Sequence, residues 1–90
     1  MARVTYTNHL VRYFPALTEE DVDAADVRAL VRELDTRHPG LAGYLVDDRG
    51  RLRQHVNIFV GGAPLRDRAT LTDALAHDAR VHIAQALSGG

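Results

Sequence analysis

The stretch "DVRALVRELDTRHPG" (26–40) carries the clearest helical period in this 90-residue chain, and strand-like segments lie on both sides of it. Val27, Leu30, Val31 and Leu34 recur at i, i+3, i+4 and i+7, so they fall on one helical face. Asp26 is placed to cap the start, and Pro39-Gly40 supplies the stop. Glu33 and Arg37 form an i,i+4 pair on the outward side, and with Arg28 and Arg32 they read as a solvated face. One amphipathic helix must bury its stripe against another layer, and the rest of the chain offers sheet.

"RVTYTNHLVRYF" (3–14) is rich in β-branched and aromatic residues, which predicts a strand interrupted near Asn8 and ended by Pro15. A second strand is expected around Val22, with the acidic run before it as the connection. In 41–51, Leu41, Tyr44 and Leu45 are apolar anchors ahead of a turn at Asp48-Arg49-Gly50. "QHVNIFV" (54–60) alternates, sending Val56, Ile58 and Val60 to one face and Asn57 and Phe59 to the other. Gly61-Gly62 then signals a two-residue hairpin, with a short return strand over 63–66. "TLTDALAHD" (70–78) is expected to be a loop with one helical turn. "RVHIAQAL" (80–87) reads as the last strand, with Val81 and Ile83 inward and His82 and Ala84 outward. The order predicts an α+β domain over residues 1–85, a sheet of four to five strands on one main helix. Residues 86–90 are left as a flexible tail ending in Gly89-Gly90.

Composition removes several classes of function. Ninety residues make one small domain, and a net charge of −1 argues against a generic polyanion binder. The chain has no cysteine, so no side chain can carry thiolate or persulfide chemistry. All eleven basic residues are arginine, which leaves no internal ammonium for Schiff-base chemistry or for an isopeptide bond. His77 and His82 have neither cysteine nor His-x-His spacing around them, so no metal site is expected. "RGRLR" (49–53) lacks interleaved aromatics, and it reads as a polar rim for a protein partner rather than a nucleic-acid contact. Asp47-Asp48 reads as turn-forming, and Gly61-Gly62 lacks the helix and lysine of a phosphate loop. No apolar run reaches membrane-spanning length and no leader precedes the first strand, so a cytoplasmic location is expected.

The element order ending in Gly-Gly resembles the ubiquitin-like (β-grasp) sulfur carriers of the MoaD/ThiS family. "HVNIFVGGAPL" (55–65) is similar to that family's strand–hairpin–strand, and "VHIAQALSGG" (81–90) to its last strand and tail. The resemblance spans Val4 to Gly90 and is nearest in look to the molybdopterin-synthase small subunit and the cysteine-pathway carriers. "HDAR" (77–80) replaces the family's common Asp-Gly-Asp turn, and Gln85-Ala86 stands where many members have proline or an apolar pair. The receiving pathway therefore stays open.

The resemblance implies a mixed β-grasp sheet and a carrier rather than an enzyme. The Gly90 carboxylate would be adenylated with ATP by a ubiquitin-activating-like adenylyltransferase, and a sulfur donor enzyme would then convert it to a thiocarboxylate. A sulfur-accepting biosynthetic enzyme would receive that sulfur. Ser88 and Gly89 would serve tail recognition, since glycine admits close backbone approach. Phe59, His82, Ala84 and Leu87 would supply the docking surface. The competing expectation is a ubiquitin-like interaction module or protein modifier that carries no sulfur.

Overall fold

In the computed structural model, which describes residues 1–85, the chain opens with strand β1 (Ala2–Tyr6) and a short helix α1 (Asn8–Tyr13). Strand β2 (Glu20–Val22), the main helix α2 (Val27–Arg37) and a second short helix α3 (Leu41–Leu45) follow. Strands β3 (Val56–Val60), β4 (Ala63–Pro64) and β5 (Arg80–Gln85) complete the described chain. The five strands form one mixed sheet in the order β2-β1-β5-β3-β4. Strand β5 runs parallel to β1 and antiparallel to β3, so the last strand is the central one.

The helix stripe and the sheet alternation meet as expected. Val27, Leu30 and Leu34 of α2 are fully buried, as are Val4, Val56, Ile58, Val81 and Ile83 of the sheet. At about 25 cal/mol per Å² of apolar surface, contacts of this kind supply most of the folding drive in so small a domain. Asp26 caps α2 by accepting from the Ala29 N–H at 2.8 Å. The two preceding donors are satisfied from the far end of the chain: Val27 N–H donates to the Asp73 carbonyl and Arg28 N–H to the Leu71 carbonyl, at 3.0 and 2.9 Å.

That arrangement corrects the helical turn expected within 70–78. The segment is held instead by two carboxylates. Asp67 accepts from the Ala69 and Thr70 N–H groups, from the Thr70 hydroxyl, and from the Thr72 hydroxyl at 2.5 Å. Asp73 accepts from the Arg66 and Asp67 N–H groups at 3.0 and 2.9 Å. Side chains that satisfy local backbone donors compete with helix, and here they win. The Thr70 hydroxyl, followed by that of Thr72, holds the Asp67 carboxyl far below the usual carboxylate range. Leu71 sits in the left-handed region at φ 58° yet is buried, a strained residue pinned by the hydrogen bonds around it.

A second correction concerns residues 8–13, expected as strand and found as α1. Their propensity favoured strand, but only the helical turn drives Leu10 into the core with Val11 and Phe14 packed against it. The Thr7 N–H donates to the Ile83 carbonyl at 3.1 Å, closing the β1–β5 ladder where α1 starts. Residues 41–45, read only as apolar anchors, form α3. The Asp35 carboxylate accepts from the Gly40 and Ala42 N–H groups at its start. The hairpin is as expected, with both Gly61 and Gly62 at positive φ as a type I′ turn requires. Its return strand stops at Pro64, short of the expected 63–66.

On the helix side, a polar knot ties three elements together. The Tyr6 hydroxyl donates to Glu20 at 2.7 Å, His38 Nε2 lies 2.9 Å from the same carboxylate, and Arg37 donates to it at 3.1 Å. Burial pushes the Glu20 carboxyl up, but the bonds from Tyr6, His38 and Arg37 outweigh it and hold the group below its ordinary value. Burial and the Glu20 bond together push the Tyr6 phenol well above its usual range.

Two outcomes follow. Leu34→Ala should cost about 2–5 kcal/mol in urea denaturation. Because Glu20 has a depressed folded-state value, its contribution is complete above the ordinary carboxylate range and fades as pH falls through the folded value. Glu20→Gln should therefore lose about 1.5–3 kcal/mol near neutral pH. In thermal melts, that gap from the wild type should narrow as the buffer is taken below the ordinary carboxylate range.

Candidate functional site

Strands β1, β5 and β3 turn every second residue away from α2, and the registers bring particular ones together. His82 lies opposite Thr5 on one side and Phe59 on the other, and Phe59 lies opposite Pro64. One lateral row, Thr5–His82–Phe59–Pro64, therefore crosses four strands of the outer face. Ala84 lies opposite Asn57 one step nearer the end of β5. The strand parity read from the sequence thus places Phe59, His82 and Ala84 on one face, as expected, and all three are partly exposed.

The row is pre-ordered. Thr5 Oγ1 and His82 Nδ1 are hydrogen-bonded at 2.7 Å, which fixes the imidazole plane. The Phe59 and His82 ring centroids are 6.5 Å apart with a 34° tilt, within range of an offset aromatic contact. Sequence reading missed Thr5 and Pro64. Parity on each strand was legible, but their place beside His82 and Phe59 depends on strand order, which periodicity does not give.

Toward the start of β5 this face is charged. Arg3 sits beside Arg80 in the β1–β5 register and pairs with Glu19 at 2.5 Å and Asp21 at 3.0 Å. Toward the end of β5 the face carries Ala84 and Asn57, whose Oδ1 accepts from the Arg68 guanidinium at 3.2 Å. At the same end of β5 but on the helix side, Gln85 is opposite Val56, and two buried oxygens, Thr7 Oγ1 and Gln85 Oε1, have no partner among the described residues. Leu87, Ser88, Gly89 and Gly90, and with them the tail expected over 86–90, lie outside the described residues.

The remaining motifs take structural places. The Asp47 carboxylate accepts from the Arg49 and Arg51 N–H groups at 2.9 and 3.0 Å, which is the turn-forming role expected. The Arg51 N–H bond first, then that from Arg49, holds the carboxyl below its ordinary value. Arg51 pairs with Asp47 at 3.4 Å, and Arg53 donates to the Gly43 carbonyl. Among the described residues, no three His, Cys, Asp or Glu side chains gather as metal ligands would. None of the described helices is long and apolar enough to cross a membrane.

No protein-family model matches the sequence, and no curated protein matches it significantly. Solved structures do. A chain in the crystal structure of the Amycolatopsis orientalis BexX/CysO complex superposes with a TM-score of 0.84 at 20% identity, covering 100% of both chains. Mycobacterium tuberculosis CysO gives 0.83 at 22% identity, over 97% of this chain and 100% of that one.

The fold is the ubiquitin-like β-grasp. The small archaeal modifier protein 1 from Methanosarcina acetivorans gives 0.78 at 20% identity, over 99% and 95% of the two chains. At these identities the likeness is one of fold. Within the β-grasp frame, the Thr5–His82–Phe59–Pro64 row occupies the sheet face that the main helix leaves open.

Thr5→Val should remove the bond that orients His82 and cost about 0.5–1.5 kcal/mol. In nitrogen-detected NMR, the His82 Nδ1 resonance should move, while the amide pattern of α2 stays in place.

Proposed function

We propose that this chain is a sulfur carrier whose reacting group is the carboxylate of Gly90. The reading rests above all on the position of β5: the central strand of a β-grasp sheet leads toward Gly90, with the Phe59–His82 row beside it on the open face. The likeness to the chain in the BexX/CysO complex supports the same reading, since that β-grasp chain was crystallised with a partner.

The chemistry needs nothing from this chain's side chains except docking. A carboxylate is a poor electrophile, so a partner adenylyltransferase joins it to ATP, forming a C–O–P linkage and releasing pyrophosphate. A sulfide-level sulfur from a donor enzyme then attacks the carbonyl carbon. A C–S bond forms, the C–O bond to AMP breaks, and no oxidation state changes. The resulting thiocarboxylate is a nucleophile that a sulfur-accepting enzyme can use. Docking converts an encounter of carboxylate and nucleotide into an oriented reaction. Five extended residues span about 17 Å, enough to carry Gly90 from Gln85 into a recessed nucleotide site. Ser88 and Gly89 serve tail recognition, and Phe59, His82, Ala84 and Leu87 meet the partner surface.

A second reading has a specific observation behind it, the likeness to a small archaeal modifier protein. In it the activated Gly90 carboxyl joins an amine of another protein. Lacking lysine, this chain could not receive a lysine-linked copy of itself.

Intact mass decides between the two. Incubation with a cognate adenylyltransferase, ATP and a sulfur source should exchange one oxygen for one sulfur at Gly90, and deleting Gly90 should abolish the exchange without moving the melting temperature. Phe59→Asp should slow loading by about tenfold or more with the fold intact. Loss of activation with no sulfur gained, alongside covalent adducts to other proteins, would favour the modifier.

A further inference from the structure

A half-enclosed hollow of about 260 Å³ lies on the helix side of the molecule, away from the outer sheet face. Its floor is apolar: Val31 of α2 and Leu71 are buried, and Ala42 and Val46 pack partly against the core beside them. Its rim is cationic. Arg28 and Arg32 stand one helical turn apart on α2, and Arg49 faces them from the turn after α3. Among the described residues, no acidic side chain lines the hollow.

The three guanidinium groups differ from most others in the chain. Arg3, Arg37 and Arg51 pair with carboxylates, and Arg53 and Arg68 donate to backbone carbonyls. Arg28, Arg32 and Arg49 make no side-chain ion pair or hydrogen bond among the described residues, although the chain as a whole is slightly acidic. Mutual repulsion works against holding three like charges around one opening, and an anion between them relieves it. Guanidinium is also the side chain best matched to a planar or tetrahedral oxyanion, which it grips with two parallel N–H groups.

We infer that this hollow binds a small organic anion: a carboxylate or phosphate head held by Arg28, Arg32 and Arg49, on a compact apolar body that rests on Val31, Ala42, Val46 and Leu71. The volume lies just under the usual ~300–1,000 Å³ of small-molecule sites, which limits the body to about the size of one or two rings. The site shares no residue with the Phe59–His82 face, so it does not rest on the sulfur-carrier reading.

The test is an NMR titration of the ¹⁵N-labelled full chain with 2-naphthoate, its neutral amide, and inorganic phosphate. Naphthoate should shift the Val31, Ala42, Val46 and Leu71 amides saturably, in the millimolar range or tighter, and added salt should weaken it. The amide and phosphate alone should each bind at least about fivefold more weakly, because each offers half of the recognition. An Arg28→Ala/Arg32→Ala double variant should lose about fivefold or more in naphthoate affinity with its melting temperature unchanged. Arg12→Ala, an exposed arginine on α1, should lose nothing. Arg49→Ala gives a second reading should the double variant fold poorly. Absence of saturable shifts, equal binding of acid and amide, or shifts centred on Phe59 and His82 would overturn the inference. So would binding of a capped Glu-Phe peptide without binding of naphthoate, since the hollow would then be a protein contact. Sulfur loading by the double variant should equal that of the wild type, which separates failure here from failure of the carrier reading.

Discussion

The first and last strands of the described chain lie side by side and run in the same direction, and a parallel pair cannot be closed by a tight turn. Everything between them has to travel from one end of the sheet back to the other. Strand β2 starts that return, and helix α2 crosses back from β2 to β3, which both run opposite to β1 and β5; its buried stripe fills the space that β1, β3 and β5 enclose on one side. The position of β5 in the middle of the sheet follows from the same constraint, because β1 takes one flank and β3 the other. With α2 on one face only, the opposite face is left to whatever the outward residues can recruit.

The capping of α2 shows how far apart in sequence the mutually dependent parts are. The carbonyls of Leu71 and Asp73 serve donors at Val27 and Arg28. The loop that presents them is shaped by Asp67, whose carboxylate collects donors from Ala69, Thr70 and Thr72. Such a loop has no hydrophobic period and is built from residues that usually signal irregular structure, but its geometry is as specified as that of a helix.

How much of this was legible in the sequence depended on the range of the interaction. Helix α2 was legible because Val27, Leu30, Val31 and Leu34 repeat on a local period, and Asp26 caps three residues away. The outward placement of Phe59, His82 and Ala84 was legible for the same reason, since alternation is a property of each strand alone. The identity of α1 was not, because its β-branched and aromatic residues favour strand until Leu10 finds the core behind β5. Thr5 could not be tied to His82, nor Tyr6 and His38 to Glu20, because those pairings exist only once strand order is settled. The Arg28, Arg32 and Arg49 cluster was hidden likewise: two of its members looked like an ordinary solvated helix face, and the third belonged to a turn.

The parallel partnership of β1 and β5 also has a mechanical meaning. Tension applied between the start of β1 and the end of β5 pulls the two strands lengthwise past each other. Every rung of the ladder then bears load at once, whereas a hairpin peeled from its open end gives way one rung at a time. A partner that tugs on this molecule beyond Gln85 therefore draws against the part of the sheet best able to resist it.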